Sequence, residues 1–173
     1  MKIGILSDTH TKVNLTKITI DFLLNEGVEF LIHAGDIVEV ATLELLANSG
    51  VRYVAVYGNN DAHLVQYHNN YNLVQEPHYF KLAHTTFKLM HLPFYMTPDA
   101  EIIIFGHTHT FEVEFRKGTL YLNPGEVCAR SKPLSECAIL EIKEKELRVD
   151  YFTRKKEKKY KHKEQFSYKR RMR

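Results

Sequence analysis

Seven side chains able to ligate a metal stand in five short segments: Asp8-Thr9-His10, Gly35-Asp36, Gly58-Asn59-Asn60-Asp61, Met90-His91 and Gly106-His107-Thr108-His109. Each segment follows an apolar run that reads as a strand. Carboxylates and imidazoles gathered at one sheet edge suit borderline divalent cations. A pair of such cations supports hydrolysis near neutral pH.

Taken singly, the segments are weak signals. Asp8 and His10 lie two apart, so an extended backbone would point both the same way; Asp8 could equally cap a loop. Gly35-Asp36 and Gly58-Asn59-Asn60-Asp61 have the composition of ordinary turns. Even so, the two oxygens of Asp36 could bridge two cations about 3.5–4 Å apart, and an Asn59 amide oxygen could ligate without adding charge. A lone histidine such as His91 is more often a core residue than a ligand. Gly106-His107-Thr108-His109 is the strongest segment, since it directly follows the apolar Ile102-Ile103-Ile104-Phe105.

The elements that must position these residues are readable. Ile3–Leu6, Phe30–Ile32 and Val51–Tyr57 read as strands. Leu15, Ile18, Phe22 and Leu23 recur at helical spacing, with Asn14 as the expected N-cap and Gly27 past the end. Val40, Leu43, Leu46 and Ala47 predict a second helix. The first 60 residues are therefore β-α-β-α-β, with a polar segment at the C-terminal end of each strand, where ligands bind in open α/β sheets. Beyond residue 73, antiparallel strands are expected around Tyr79–Leu82 and Phe87–His91. Hairpins are expected at Lys117-Gly118 and Glu144-Lys145. The predicted fold is α/β, two packed mixed sheets flanked by helices.

The 173 residues suffice for one buried domain. No apolar run approaches the roughly 20 residues of a membrane span. Met1-Lys2 leads straight into the first strand, so a cytoplasmic location is expected. Cys128 and Cys137 are expected to be reduced, Cys137 in the core and Cys128 near the loop segments. Net charge is +3, but residues 154–173 carry 11 Lys/Arg against 2 Glu, leaving the body at −6. The expectation is a body over residues 1–153 and a basic, solvated, partly disordered tail over 154–173. Its lysines, interleaved with Tyr160, Phe166 and Tyr168, have the composition of a nucleic-acid-binding arm.

Together, the five segments resemble the calcineurin-like metallophosphoesterase superfamily. Its pattern is Asp-x-His, Gly-Asp, Gly-Asn-His/Cys-Asp/Glu, an isolated His and Gly-His-x-His. The match runs from Ile3 to about Tyr151 and looks closest to the small, uncapped bacterial and archaeal phosphodiesterases. That resemblance implies the four-layer sandwich of that superfamily. It also implies one metal held by Asp8, His10 and His109, a second by Asn59, His91 and His107, and Asp36 between them. Manganese is the expected ion, with nickel, iron or zinc as alternatives. The implied activity is attack of a metal-bridging hydroxide on a phosphodiester; small uncapped members of the family often self-associate, which leaves both a monomer and a homo-oligomer open.

Two departures stand out. Asn60 replaces the usual histidine of the third motif and cannot act as a general acid. His107 lies only 16 positions after His91, with Pro93 and Pro98 between them, where the family carries a helix. This makes His91 the least secure ligand, with His84 as a weaker substitute. His33 is expected to pack beneath the site, and residues 61–71 to form a surface loop or a substrate wall. Asn123-Pro124-Gly125 is expected to be a turn that helps wall the site. Two alternative readings are a nuclease or nucleotide-directed phosphoesterase using the basic tail, and a non-catalytic metal-binding scaffold for protein interaction.

Overall fold

A computed structural model describes residues 1–170. Twelve strands and two α-helices follow in order among them: β1 (Lys2–Leu6), α1 (Val13–Asn25), β2 (Phe30–His33), α2 (Val40–Ala47), β3 (Arg52–Val56), β4 (Leu73–Val74), β5 (His78–Leu82), β6 (Thr85–Leu89), β7 (Ile102–Ile104), β8 (Phe111–Arg116), β9 (Thr119–Pro124), β10 (Leu134–Ile142), β11 (Glu146–Lys155) and β12 (Lys161–Lys169). A 3-10 helix spans Ala62–Tyr67. No helix among the described residues is long and apolar enough to cross a membrane.

The strands form two mixed sheets. One has the order β12-β11-β10-β1-β2-β3-β4, the other β5-β6-β7-β9-β8. In the first, β1 to β4 run parallel and β10 to β12 antiparallel. In the second, β6, β7 and β9 run parallel. Apolar strand residues such as Ile3, Ile32, Phe87, Ile104 and Leu140 meet between the sheets. The outer face of the first sheet is covered by α1 and α2 through Ile20, Leu23, Leu43 and Leu46. Strands buried on both faces have no reason to alternate, which explains their continuous apolar runs.

The implied fourth layer is not a helix here. Residues 92–100 form a loop over the second sheet, packed on Met90, Ile103, Phe105 and Tyr121. Its anchor is Lys88, 1 % exposed, whose ammonium donates to the Tyr95 and Thr97 carbonyls at 2.8 Å each and pairs with Asp99. Two prolines in so short a segment preclude a regular helix.

Two local expectations need correction. α1 starts one residue before Asn14, which lies within its first turn; Lys12 holds the cap position without a side-chain cap. The region after Arg154 is not a solvated tail over residues 161–169, because β12 pairs antiparallel with β11. Phe166 packs tilted against Phe111 and Tyr168 stacks on Phe115 of the facing sheet, with centroids 5.9 and 5.2 Å apart. A register shift at Tyr151/Phe152 accompanies this packing, and one extra residue in a strand swaps the faces of those beyond it. Tyr160 stacks on Phe22 at 4.6 Å and hydrogen-bonds Thr19. The aromatics thought to interleave a binding arm therefore serve packing, while Lys156, Lys158, Lys159, Lys161 and Lys163 stay exposed. Arg170 pairs with Glu101 at 3.7 Å, and the last three residues of the expected tail, 171–173, lie outside the described residues.

Candidate metal centre

The loops after β1, β2, β3, β6 and β7 converge at one end of the two sheets, and all seven candidate ligands meet there. Asp8, His10, Asp36 and His109 each present a donor atom, and these lie within 4.8 Å of one another. Asp8 Oδ1 is 3.3 Å from His109 Nε2. Asp36 Oδ2 is 3.6 Å from His10 Nε2. A second group gathers around Asn59 Oδ1, which is 3.0 Å from His91 Nε2 and 3.1 Å from His107 Nδ1. Asp36 Oδ1 joins it, 3.4 Å from His91 Nε2. Donors that share one cation at bond lengths near 2.1 Å stand about 3.0–3.5 Å apart, so the spacing is that of ligand shells.

The donors fit a divalent cation on a further ground. Asp8 Oδ1 and His10 Nε2 are buried with no hydrogen-bond partner. An orphaned buried carboxylate oxygen is costly, and a cation between these two atoms satisfies both.

Backbone shape and neighbours aim the ligands. Asp8, His10, Asp36, His107 and His109 all adopt positive φ, between 46° and 69°. His91 is fully buried, and its Nδ1 donates to the Ala34 carbonyl at 2.8 Å. That fixes the tautomer that leaves Nε2 free as a ligand. Gly35 makes this approach possible: its φ is +91°, and a Cβ there would lie 2.6 Å from His91 Nδ1. His84 sits at the opposite end of β6, exposed, in the turn from β5. Asn60 donates its backbone N–H to Asp36 Oδ1 at 3.1 Å and its amide to Oδ2 at 2.8 Å.

The two carboxyls titrate apart. Burial pushes Asp8 above the ordinary carboxylate range, against the opposing pull of Ser7, His91 and His109. For Asp36 burial also acts upward, but His91, the two Asn60 hydrogen bonds and His10 outweigh it and hold the group low. Burial lowers His10, with Asp36 and Asp8 acting the other way. A bound dication would favour the ionised carboxylates and the neutral imidazoles alike.

Several supporting residues have no local sequence pattern. Glu126, fully buried, accepts from His109 Nδ1 and from the Ser131 and Lys132 amides at 2.8 and 3.0 Å. Burial raises its pKa, but His109 and these amides more than offset that and keep it ionised. It is a carboxylate behind the imidazole of a candidate ligand, an arrangement that orients the ring. Replacing it as Glu126→Gln is expected to weaken metal affinity about 10- to 100-fold, read by metal titration; unchanged affinity would remove Glu126 from this role. Asp61 accepts the amides of Ile37, Val38 and Gly58 at 3.0, 2.7 and 2.7 Å, bracing the second loop to the third. Asn123 is buried and donates to the Gly106 carbonyl and Thr108 Oγ1, each at 3.0 Å. Asn123 and Pro124 end β9 in place of the expected turn, and Asn123 supports the fifth loop. Cys128 is buried and free near His10 and His109, and burial pushes its thiol up to about 12.

His33 packs beneath the cluster as expected. Its Nδ1 accepts from Gly35 N–H at 3.1 Å, so Nε2 donates to Thr9 Oγ1 at 3.0 Å. Burial, aided by His91, depresses its pKa from 6.5 to about 3. The unfolded chain takes up this proton near pH 6.5 and the folded chain does not, so the stability contribution is full above 6.5 and lost as pH falls toward 3. The loss is about 1.4 kcal/mol per pH unit within that window. His33→Gln is expected to flatten this acid limb in urea titrations run above and below pH 6.5; an unchanged slope would reject the account.

Known proteins match this chain in sequence and fold. The family model for the calcineurin-like phosphoesterase superfamily domain matches residues 1–145. Phosphodiesterase MJ0936 of Methanocaldococcus jannaschii is 29 % identical over 161 residues, 86 % of this chain and 97 % of that protein. A solved archaeal phosphodiesterase superposes with a TM-score of 0.73 at 25 % identity, covering 94 % of this chain and 98 % of that one. A Vps29 single mutant from Entamoeba histolytica superposes at 0.74 with 21 % identity, over 97 % and 99 % of the two chains, a likeness of fold. With the family matched over most of its length and the motif residues gathered at one sheet end, the chain belongs to the calcineurin-like phosphoesterase superfamily.

Proposed function

We propose that the chain is a dinuclear-metal-dependent phosphodiesterase. The observation that carries this reading is the division of Asp36: Oδ1 faces His91 in the Asn59–His91–His107 group, and Oδ2 faces His10 in the group with Asp8 and His109. Bound there, two divalent ions would supply a water activated near neutral pH and positive charge for the phosphoryl oxygens. The seven ligands carry only two carboxylates, so the loaded site stays net positive and attracts phosphate. Manganese is the proposed ion; the mixed carboxylate, amide and imidazole set also accepts nickel, iron or zinc.

Asn60 is exposed at the rim. Its amide can donate a hydrogen bond to a phosphoryl oxygen but cannot protonate a leaving group at neutral pH. The reaction therefore favours diesters whose leaving group departs unaided. Asn60→His is expected to raise the rate on alkyl diesters by about 10²-fold, with little gain on aryl diesters. Equal effects on both would argue against a missing acid.

Metal analysis paired with hydrolysis of bis(p-nitrophenyl) phosphate tests the whole reading. About two ions per chain and turnover that disappears with chelation are expected. A folded, metal-loaded protein that leaves this diester intact would instead indicate a non-catalytic scaffold.

A further inference from the structure

Beside the metal centre a cleft of about 350 Å³ is lined by Lys12, Leu15, Cys128, Pro133, Arg154 and Lys156, among others. It adjoins the centre through Cys128, whose Sγ lies within 4.8 Å of donor atoms of His10 and His109. Lys12 is held two residues beyond His10 by a hydrogen bond from its amide to the Thr9 carbonyl at 3.0 Å. Arg154 and Lys156 arrive from the far end of the chain, carried there by β11. Two unrelated segments thus bring three cations to one opening.

No acidic side chain lines the cleft. None of these three cations forms an ion pair among the described residues; Arg116, Lys132 and Arg148 all do. Uncompensated cations around an apolar floor of Leu15 and Pro133 match an anion attached to a flat, largely apolar body. The volume is within the range of small-molecule sites. Exposed Lys158, Lys159, Lys161 and Lys163 follow in the β11–β12 turn and on β12, extending the positive surface away from the centre.

We propose that this cleft is a second-phosphate subsite. It selects nucleotide-type phosphodiesters that carry a further phosphate one nucleoside away from the scissile bond. This rests on the phosphodiesterase reading above and adds the substrate class. Lys12 and Arg154 bind the further phosphate, the sugar and base lie over Leu15 and Pro133, and the scissile phosphate reaches the donor cluster past Cys128. Lys156 and the lysines after it add a salt-sensitive attraction for longer chains.

The test uses the full chain loaded with manganese and three chromogenic diesters: bis(p-nitrophenyl) phosphate, thymidine 5′-(p-nitrophenyl phosphate), and the latter with a 3′-phosphate. The expected result is a kcat/KM about tenfold higher for the 3′-phosphorylated thymidine diester than for its unphosphorylated counterpart. That ratio should shrink as salt is raised. The double replacement Lys12→Gln/Arg154→Gln is expected to bring the ratio close to one. Lys117→Gln, in the distal turn of the β8–β9 hairpin, should keep it. A wild-type ratio near one overturns the subsite, as does a ratio that survives the double replacement or falls equally with Lys117→Gln. If bis(p-nitrophenyl) phosphate and both thymidine diesters all resist hydrolysis, the phosphodiesterase reading itself fails; turnover of the simple diester without discrimination rejects the subsite alone.

Discussion

Replacing Asp36 by asparagine is expected to lower diester hydrolysis about 10³-fold or more while the protein stays folded. Among the described residues Asp36 is the one whose two oxygens face different donor groups, His91 at 3.4 Å and His10 at 3.6 Å. An amide retains a single acceptor, turns an NH₂ toward one of the imidazoles and removes a full negative charge between the two proposed ions. Metal stabilisation of transition-state charge is worth several kcal/mol, and each 1.4 kcal/mol is tenfold in rate. Stability should move little. The variant forfeits charge-assisted bonds from Asn60, but it also relieves repulsion with buried Asp8. Metal content per chain and kcat/KM on an aryl diester are the readouts. Activity within tenfold of wild type, with full metal content, would take Asp36 out of the shared position.

The largest expected loss of stability comes from Gly58→Ala. A Cβ at residue 58 would lie 2.2 Å from both the backbone N and Oδ1 of Asp36, and 2.8 Å from its Cα. Backbone cannot rotate away, so the second and third loops must separate. The brace between them goes with it, since Gly58 N–H donates to Asp61, which also holds Ile37 and Val38. Overpacking of this kind costs about 3 kcal/mol. For a domain of this length that is a fall in melting temperature of about 6–12 °C. Gly50→Ala is the contrast: nothing lies within 4 Å of its Cβ position, so only the strain of its positive φ remains, about 1 kcal/mol. Equal melting temperatures for the two variants would show that the loops do not meet as closely as described.

What could be read in the amino-acid order followed the range of each interaction. Asp8, Asp36, Asn59 and His107 stand immediately after apolar runs, so strand, turn and ligand are announced within a few residues. His91 was obscured because its credibility seemed to depend on a helix that this chain lacks. Its position is set instead by its Ala34 hydrogen bond and by a loop tied to Lys88, a residue that reads locally as an ordinary polar strand position. Glu126 was missed for the opposite reason. A lone glutamate after Asn-Pro-Gly has no pattern of its own, and its partner is 17 residues away. β12 carries few apolar residues and a register shift interrupts their period, so its lysines outweigh any strand pattern in the sequence. Charge composition reports what solvent sees; it is silent on whether two aromatics per strand suffice to cover Phe111 and Phe115.

Five of the seven candidate ligands hold positive φ without being glycine. Each such residue stores on the order of 1 kcal/mol or more of backbone strain, and two of them are carboxylates crowded together in a poorly solvated place. Chemistry and folding therefore pull in opposite directions at this end of the molecule. A change of one of these ligands to glycine would release the strain at that position, whereas any side chain with a Cβ keeps it. The shape of this sheet end is therefore held in the backbone as well as in the donors, and a descendant that exchanged those donors for other side chains would inherit the strain without the chemistry.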